Sequence, residues 1–237
     1  MRKTLLRISM TLVALTVWLT SGAVRTGAPA ADTALASTGD NVPLASDIFL
    51  RLPVNVLDIL PRSTRFDMLE YFKVDSIYKA SNAMEGLSWL RTVTPDFLEV
   101  QITDVSTLQI KVLPGAKGKY LIMTLYTVGG DSQAPDTDIR FFDTELNELP
   151  RDKYFKLPQL KDFFDLKGAL TSMKEIERMI PFPTVEYTAS ADSDRLNAKL
   201  TVGEFMNQDD YRIIKVLLRP EGLTYLWDGK KYKLSKP

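Results

Sequence analysis

Ser76 and Lys79 stand in the order S-x-x-K, a spacing at which lysine can lower the barrier to nucleophilic attack by serine. The pattern is short and common by chance, and the chain has no K-T-G segment to accompany it. We therefore expect Ser76 and Lys79 to be solvated helix residues that carry no catalytic role.

A pair of carboxylates could hydrolyse a glycosidic bond by acid–base chemistry. Asp67 and Glu70 lie on one face of a predicted helix. Asp96 or Glu99 could supply the partner group. Helical acids at this spacing are usually exposed, and Arg65 is close enough in sequence to neutralise them. These acids therefore do not predict a catalytic site.

Aspartates could also bind a hard cation. Asp131, Asp136 and Asp138 share the loop GGDSQAPDTD, and carboxylate oxygens suit Ca²⁺. Their spacing departs from D-x-[DN]-x-[DN]-G, and aspartate is common in turns, so calcium binding by this loop stays open. Four other aspartates are interpreted as loop residues: Asp192, Asp194, Asp209 and Asp210. We predict no metal site and no cofactor.

The chain contains no histidine and no cysteine. This composition excludes Ser-His-Asp and Cys-His catalysis, imidazole and thiolate metal sites, and disulfides. Phosphate-binding and dinucleotide-binding glycine motifs are also missing from the sequence. A non-enzymatic protein is therefore predicted, and a hydrolase that needs neither histidine nor cysteine is the alternative.

The N-terminal segment has the organisation of an export signal. Basic residues precede an apolar stretch, Ile8 to Thr20, which is shorter than the ~20 residues that span a membrane. Small residues predict cleavage after Ala23, with Ala30 as the alternative. We expect a signal peptide at 1–23, a flexible leader at 24–46, and a soluble periplasmic or secreted product. A lipoprotein is excluded because no cysteine is present to be acylated.

The charges of the chain balance, with 30 basic and 30 acidic residues. No basic stripe is present in the sequence, so nucleic-acid binding has no electrostatic basis. The partner is then expected to be an envelope protein, a peptide or a glycan.

The elements that position these residues follow from hydrophobic periodicity. Apolar residues from Phe66 to Phe72 recur at helical spacing after Ser63. Alternation with a period of two predicts strands at 98–102 and 108–112, a continuous apolar run predicts a central strand at 120–128, and 139–149 resembles a hairpin. A second helical zone covers 157–180. Further strands are predicted at 185–190, 196–202, 211–219, 223–227 and 231–234.

The two halves show the same order of elements. The segment starting at Leu98 parallels that at Val185, the segment at Lys119 parallels that at Asp210, and the segment at Ile139 parallels that at Leu223. We predict an α+β protein with two tandem helix-plus-antiparallel-meander units, 47–150 and 151–237, which share a core. Each sheet is expected to have about four strands packed on helices.

The aromatic residues of the strands could line a concave binding face. Side chains at this spacing more often fill the core between a sheet and helices, and we expect them there. They are Tyr120, Tyr126, Phe141, Phe142, Tyr225 and Trp227.

Four segments of the sequence carry a resemblance. They are LPRSTRFDMLEYF from Leu60, NAMEGLSWLRTVTPDFLEVQIT from Asn82, LQIKVLP from Leu108 and DTDIRFFDTELNEL from Asp136. The strongest features are P-x-x-x-R-x-D-M at the helix start, Asn82 with Gly86, and D-x-x-I-x-F-[FY]-D, in which Phe142 replaces the expected tyrosine. Over residues 48–237 the chain resembles a family of exported proteins of unknown function from Bacteroidales-type bacteria.

The resemblance implies export and an α+β fold, and the family has no established catalytic residues to transfer. The predicted architecture is also similar to the β-lactamase-inhibitor-protein-like fold, which is an analogy of fold and no evidence of inhibition. The sequence therefore predicts an exported binding or interaction module of the cell envelope.

Overall fold

The computed structural model describes residues 42–130, 134–180 and 182–235, which contain four α-helices and two antiparallel sheets. The helices are α1 (Ala45–Arg51), α2 (Arg62–Phe72), α3 (Met173–Met179) and α4 (Gln208–Lys215). The seven-stranded sheet contains β1 (Ala80–Ser81), β2 (Leu87–Val93), β3 (Phe97–Thr103), β4 (Ser106–Pro114), β5 (Tyr120–Val128), β6 (Asp136–Phe142) and β7 (Glu148–Leu149). The four-stranded sheet contains β8 (Val185–Ala189), β9 (Arg195–Leu200), β10 (Leu223–Trp227) and β11 (Tyr232–Leu234).

Both sheets are meanders, because each strand pairs with its neighbour in sequence. The alternation at 98–102 and 108–112 correctly predicts β3 and β4, and the run at 120–128 is β5 over its whole length. The predicted hairpin at 139–149 is formed by β6 and β7. The α+β class is confirmed.

The expectation of about four strands holds for the second sheet and is wrong for the first, which has seven strands. The strands missing from the prediction are β1 and β2. The pattern of β2 is irregular because a bulge lies between Leu90 and Thr92, and a bulge breaks the alternation by which a strand is recognised.

The strand predicted at 211–219 is also wrong, because 208–215 forms α4. The Asn207 side chain accepts a hydrogen bond from the Asp209 backbone N–H at 2.8 Å and so caps the helix. Acidic residues occupy the first turn and basic residues the last, as the helix dipole favours. The proposed repeat is therefore not confirmed, since the parallel segment from Lys119 contains β5.

The seven-stranded sheet is covered on both faces. Helices α1 and α2 pack on one face, in a core that includes Ile48, Phe49, Leu69, Val100, Ile110 and Ile122. The four-stranded sheet packs on the other, in a core that includes Met123, Leu125, Phe141, Phe155, Leu196 and Tyr225. The second core takes residues from both sides of position 150, and residues 40–237 form one compact unit.

Side chains of the first sheet bind the edge of the second. The β8 backbone N–H groups of Val185, Tyr187 and Ala189 point away from β9. Each donates to a side chain of the other sheet: Val185 to Asp136 Oδ1 at 3.1 Å, Tyr187 to Thr137 Oγ1 at 3.0 Å, and Ala189 to Gln109 Oε1 at 2.9 Å. Polar side chains of the seven-stranded sheet thus close an edge that would otherwise be open.

A buried lysine also connects the sheets. The Lys111 side chain on β4 is 2% exposed, and its Nζ lies 2.6 Å from Asp96 Oδ2 and 3.7 Å from Asp194 Oδ1, in the turn between β8 and β9. Partial burial raises the pKa of Asp96, but hydrogen bonds from Lys111 and Thr94 outweigh that effect and hold the pKa below its usual value.

Candidate functional site

Ser76 and Lys79 lie beyond the end of α2, so the expectation that they are helical is wrong, although both are exposed. The Ser76 backbone N–H donates to the Tyr71 carbonyl at 3.1 Å and closes the turn after the helix. The Lys79 Nζ lies 5.1 Å from the centre of the Trp89 ring, a cation–π contact. Neither residue contacts the other in a way that would activate the hydroxyl.

The carboxylates considered for catalysis have separate roles. Asp67 and Glu70 are exposed on α2, and Glu70 pairs with Lys73. Asp96 binds Lys111, and Glu99 pairs with Arg91 at 3.0 Å.

Arg65 does not neutralise the acids of α2, as the sequence suggested. It is buried, and its Nη1 donates to the carbonyls of Phe49 at 2.6 Å and Leu52 at 3.0 Å. These carbonyls lie at the C-terminus of α1, where helical acceptors lack intrahelical partners. Arg65 therefore joins α1 to α2.

The loop considered for calcium is only partly described, because Asp131 lies outside the described residues. Asp136 and Asp138 lie on β6, and Asp136 is occupied by the Val185 backbone N–H. Across the described ranges, no three acidic side chains gather closely enough to hold a metal ion. Asp194 faces Lys111, and Asp209 pairs with Arg212 at 3.2 Å on α4.

The strand aromatics lie in the two cores or at their edges. Phe141, Phe142 and Tyr225 are buried, as expected of core residues, whereas Tyr120, Tyr126 and Trp227 are partly buried around the same cores. Burial, and to a lesser extent the negative charge of Asp162, raises the pKa of Tyr225 to about 12. Its phenol is therefore neutral at physiological pH.

Exposed apolar side chains are instead concentrated on one stretch of chain, from α2 to the start of β2. We call them the 66–87 surface: Phe66, Tyr71, Val74, Ile77, Tyr78, Met84 and Leu87. Val74 and Ile77 are 72% and 67% exposed. Isolated apolar residues are normal on a protein surface, but several together indicate an interaction site.

The 66–87 surface has a defined conformation. The Tyr71 and Tyr78 rings are stacked, with centroids 4.7 Å apart, so the helix and the following loop are held together. Asp75 and Glu85 adopt φ values of 53° and 60°, a left-handed conformation that costs energy for residues with a side chain. Such conformations persist only where the surroundings enforce them, and they are common at binding sites.

Asn82 organises the turn that carries Met84. Its Oδ1 accepts from the backbone N–H groups of Met84 at 2.9 Å and Gly86 at 3.1 Å, and its Nδ2 donates to Ser88 Oγ and to the Ile102 carbonyl. A Cβ at Gly86 would lie 3.4 Å from Asn82 Nδ2, an ordinary van der Waals contact, so Asn82 packs directly against Gly86. The apolar side chains are thus presented from a rigid hairpin.

Acidic and basic side chains both flank this surface, and the exposed Arg62 and Lys79 are among the basic ones. Asp67, Asp75 and Glu85 form no ion pair with any described residue, whereas Glu70 is neutralised by Lys73. The charges beside this surface therefore favour neither a basic nor an acidic partner.

The comparisons with known proteins agree with this architecture and assign no activity. A family model described as "Protein of unknown function (DUF3256)" matches residues 42–232. The chain belongs to the DUF3256 family. Its fold is similar to that of a domain of an uncharacterized protein from Porphyromonas gingivalis W83, with a TM-score of 0.67 and 23% sequence identity, over 81% of this chain and 98% of that one. No curated protein matches the chain.

The residues on which the family resemblance rests have structural roles in this DUF3256 protein. Arg65 fastens α1, Asn82 builds the β1–β2 turn, and Asp136 binds the edge of β8. Asp143 Oδ1 accepts from the backbone N–H groups of Glu145 and Asn147, which shapes the turn before β7. Within the described residues of this DUF3256 protein, no helix is long and apolar enough to cross a membrane.

Proposed function

We propose that this DUF3256 protein is an exported, non-enzymatic interaction module that binds a protein of the cell envelope through the 66–87 surface. The observation that carries the proposal is the concentration of exposed apolar side chains on a rigid helix–hairpin segment. Burying such side chains against a partner yields about 25 cal/mol per Å² of apolar area.

A protein partner suits this surface better than a glycan. Sugar rings stack on open aromatic faces, whereas Tyr71 and Tyr78 stack on each other. The remaining exposed side chains are largely aliphatic, including Val74, Ile77 and Met84. Aliphatic side chains bury well against a complementary apolar surface, which proteins supply.

Export and a non-enzymatic role rest on the sequence. The basic start, the apolar stretch and the small residues before Ala23 support secretion. The similar structure from Porphyromonas gingivalis, a member of the Bacteroidales, supports the same bacterial setting. The carboxylates that a hydrolase would need are exposed or engaged by basic groups, which supports binding over catalysis.

The proposal is tested by affinity capture from envelope extract, with bound proteins identified by mass spectrometry. We expect the wild-type chain to retain a defined protein and the double variant Ile77→Ser, Met84→Ser to lose at least about tenfold of it, because two exposed apolar contacts are removed.

The matched control is Val216→Ser, at the residue that follows α4, since Val216 is exposed but lies outside the 66–87 surface. It should retain the same protein as the wild type. Equal capture by the wild type and the double variant, or capture of nothing specific, would disprove binding through this surface.

A further inference from the structure

One edge of the seven-stranded sheet is left open beside β6. Strand β7 pairs with β6 only at Phe141 and Phe142. Pro150 then ends β7, since proline has no N–H to continue the ladder, and the chain turns away at Arg151–Lys153. Among the described residues, no strand therefore lies beside the edge of β6 from Asp136 to Arg140.

The hydrogen-bond pattern shows which backbone groups face this edge. The Gly129 N–H donates to the Val105 carbonyl, so odd-numbered residues of β5 bond to β4 and even-numbered ones bond to β6. The β5–β6 register then directs the N–H and C=O groups of Thr137 and Ile139 outward. The Asp143 N–H bonds to the Asn147 carbonyl across the β6–β7 turn, in agreement with this alternation.

The outward backbone groups of Thr137 and Ile139 have no hydrogen-bond partner among the described residues. The two residues are only 8% and 3% exposed. Backbone groups of a folded protein that have no protein partner are satisfied by ordered water or by a ligand. These four groups therefore point to a ligand that can both donate and accept.

Two cavities lie along this edge, and Ile139 and Arg151 line both. One, of about 380 Å³, lies next to β7 and includes Leu149 and Pro150. The other, of about 270 Å³, lies next to β8 and has apolar walls that include Leu157, Leu160, Phe163 and Leu200. We call the two cavities and the open edge between them the β6 slot.

Arg151 supplies a positive charge to the β6 slot. Its Nε lies 3.4 Å from Asp152 Oδ1, and its two terminal nitrogens have no partner among the residues that the structure describes. The other guanidinium beside the slot, that of Arg140, is held by a bidentate contact with Glu148. Arg151 is thus available to a carboxylate of a ligand.

We propose that the β6 slot binds a short, extended peptide with an apolar side chain and a free C-terminal carboxylate. The peptide binds beside β6, in the position that β7 would occupy if it continued beyond Pro150, and runs antiparallel to β6. Its first and third residues exchange backbone hydrogen bonds with Ile139 and Thr137. Their side chains lie on the same face as that of Ile139, toward the apolar cavity, and the carboxylate lies at Arg151.

The register makes the proposal testable with modified peptides. The probe is acetyl-Leu-Ala-Leu with a free carboxylate. Its binding is followed by the amide ¹⁵N–¹H shifts of Thr137 and Ile139 in the labelled chain. N-methylation of the third residue removes a donor that faces β6 and should weaken binding about tenfold. N-methylation of the second residue alters a group that points away from β6 and should weaken binding much less.

The carboxylate is tested separately. The C-terminal amide of the probe should bind several-fold more weakly, and Arg151→Gln should reduce the preference for the free acid. Arg212→Gln on α4 is the matched control. This variant should retain the preference for the free acid, because Arg212 pairs with Asp209 away from the slot. The proposal is overturned if the probe leaves the Thr137 and Ile139 amides unshifted at millimolar concentration, or if both N-methylated peptides bind equally.

Discussion

Arg65 illustrates how a charged side chain can serve the fold without an ion pair. Its guanidinium donates to two carbonyls at the end of α1, where the negative end of the helix dipole favours a cation. Burial, followed by repulsion from Arg62, lowers the pKa of Arg65. From the sequence, Arg65 was expected to neutralise the nearby acids Asp67 and Glu70. Its role is decided by α1, which lies beside it only in the folded chain.

Replacing Arg65 by methionine should destabilise the protein by about 2 kcal/mol, because two buried carbonyls lose their donor. Urea denaturation of the variant measures this change. Arg62→Met on the same helix is the control, since Arg62 is exposed, and should change the free energy of unfolding by no more than about 0.5 kcal/mol. Similar losses in both variants would contradict the role given to Arg65.

Removing Asp96 should be costly because the Lys111 ammonium is buried and would keep only the more distant Asp194. We expect Asp96→Ala to lower the free energy of unfolding by about 3 kcal/mol, as for other broken buried pairs. Asp67→Ala, which removes an exposed carboxylate of α2 that has no ion pair among the described residues, is the control. A cost near zero for Asp96→Ala would show that Lys111 does not depend on it.

Acid should weaken the same contact. The folded-state pKa of Asp96 is lowered, so its contribution to stability is complete above the unfolded value of about 3.9 and is lost as the pH falls through the folded value. The difference in unfolding free energy between the wild type and Asp96→Asn should therefore shrink as the pH falls from 5 to about 2. A difference that is constant over this range would rule out the linkage.

At the scale of elements, the two sheets are joined by polar contacts that no periodicity predicts. Gln109 is one of the polar positions in the alternating pattern of β4, and its Oε1 accepts from the Ala189 N–H of β8. The strand was predictable from its own pattern, but the burial of its polar face was not, because β8 comes from the other half of the chain. The α4 segment was mistaken for a strand for a related reason. A short apolar run fits either element, and Asn207 decides for the helix.

Gln109→Met should cost about 1–3 kcal/mol, since it leaves the Ala189 N–H buried without an acceptor while nearly preserving the side-chain volume. Hydrogen exchange should also show faster exchange of the Ala189 amide than in the wild type. Asn197→Met, on the exposed face of β9, is the control. An unchanged Ala189 exchange rate would mean that another group satisfies this amide.

At the scale of the molecule, the seven-stranded sheet needs cover on both faces. Helices α1 and α2 supply one cover, and the four-stranded sheet with residues such as Phe155 and Tyr187 supplies the other. The 66–87 surface lies outside these two cores, whereas the apolar wall of the β6 slot is formed by members of the second core, including Ile139, Phe163 and Leu200. Binding at the 66–87 surface can therefore occur without opening either core, and a ligand in the β6 slot would contact the edge of the second one.

The segment 42–150 should not fold cooperatively by itself, because residues such as Met123, Leu125 and Phe141 would lose their cover. Circular dichroism and thermal denaturation of this fragment, compared with the full chain, provide the test. A fragment with a sharp unfolding transition and native-like protection of the β5 amides would contradict a shared core.

The sequence by itself determined the α+β class, most of the strands and the lack of histidine and cysteine chemistry, because alternation and composition are local properties of a chain. Only the tertiary structure decided the joining of the two sheets by buried polar contacts, the exposure of the 66–87 surface and the open edge beside β6. Each of these depends on which distant segment covers a given face or edge. The S-x-x-K segment, Ser76 to Lys79, illustrates this division. Ser76 and Lys79 could be recognised as a motif in the sequence. In the folded chain they lie on a surface where the neighbouring apolar side chains of Ile77 and Tyr78 are exposed.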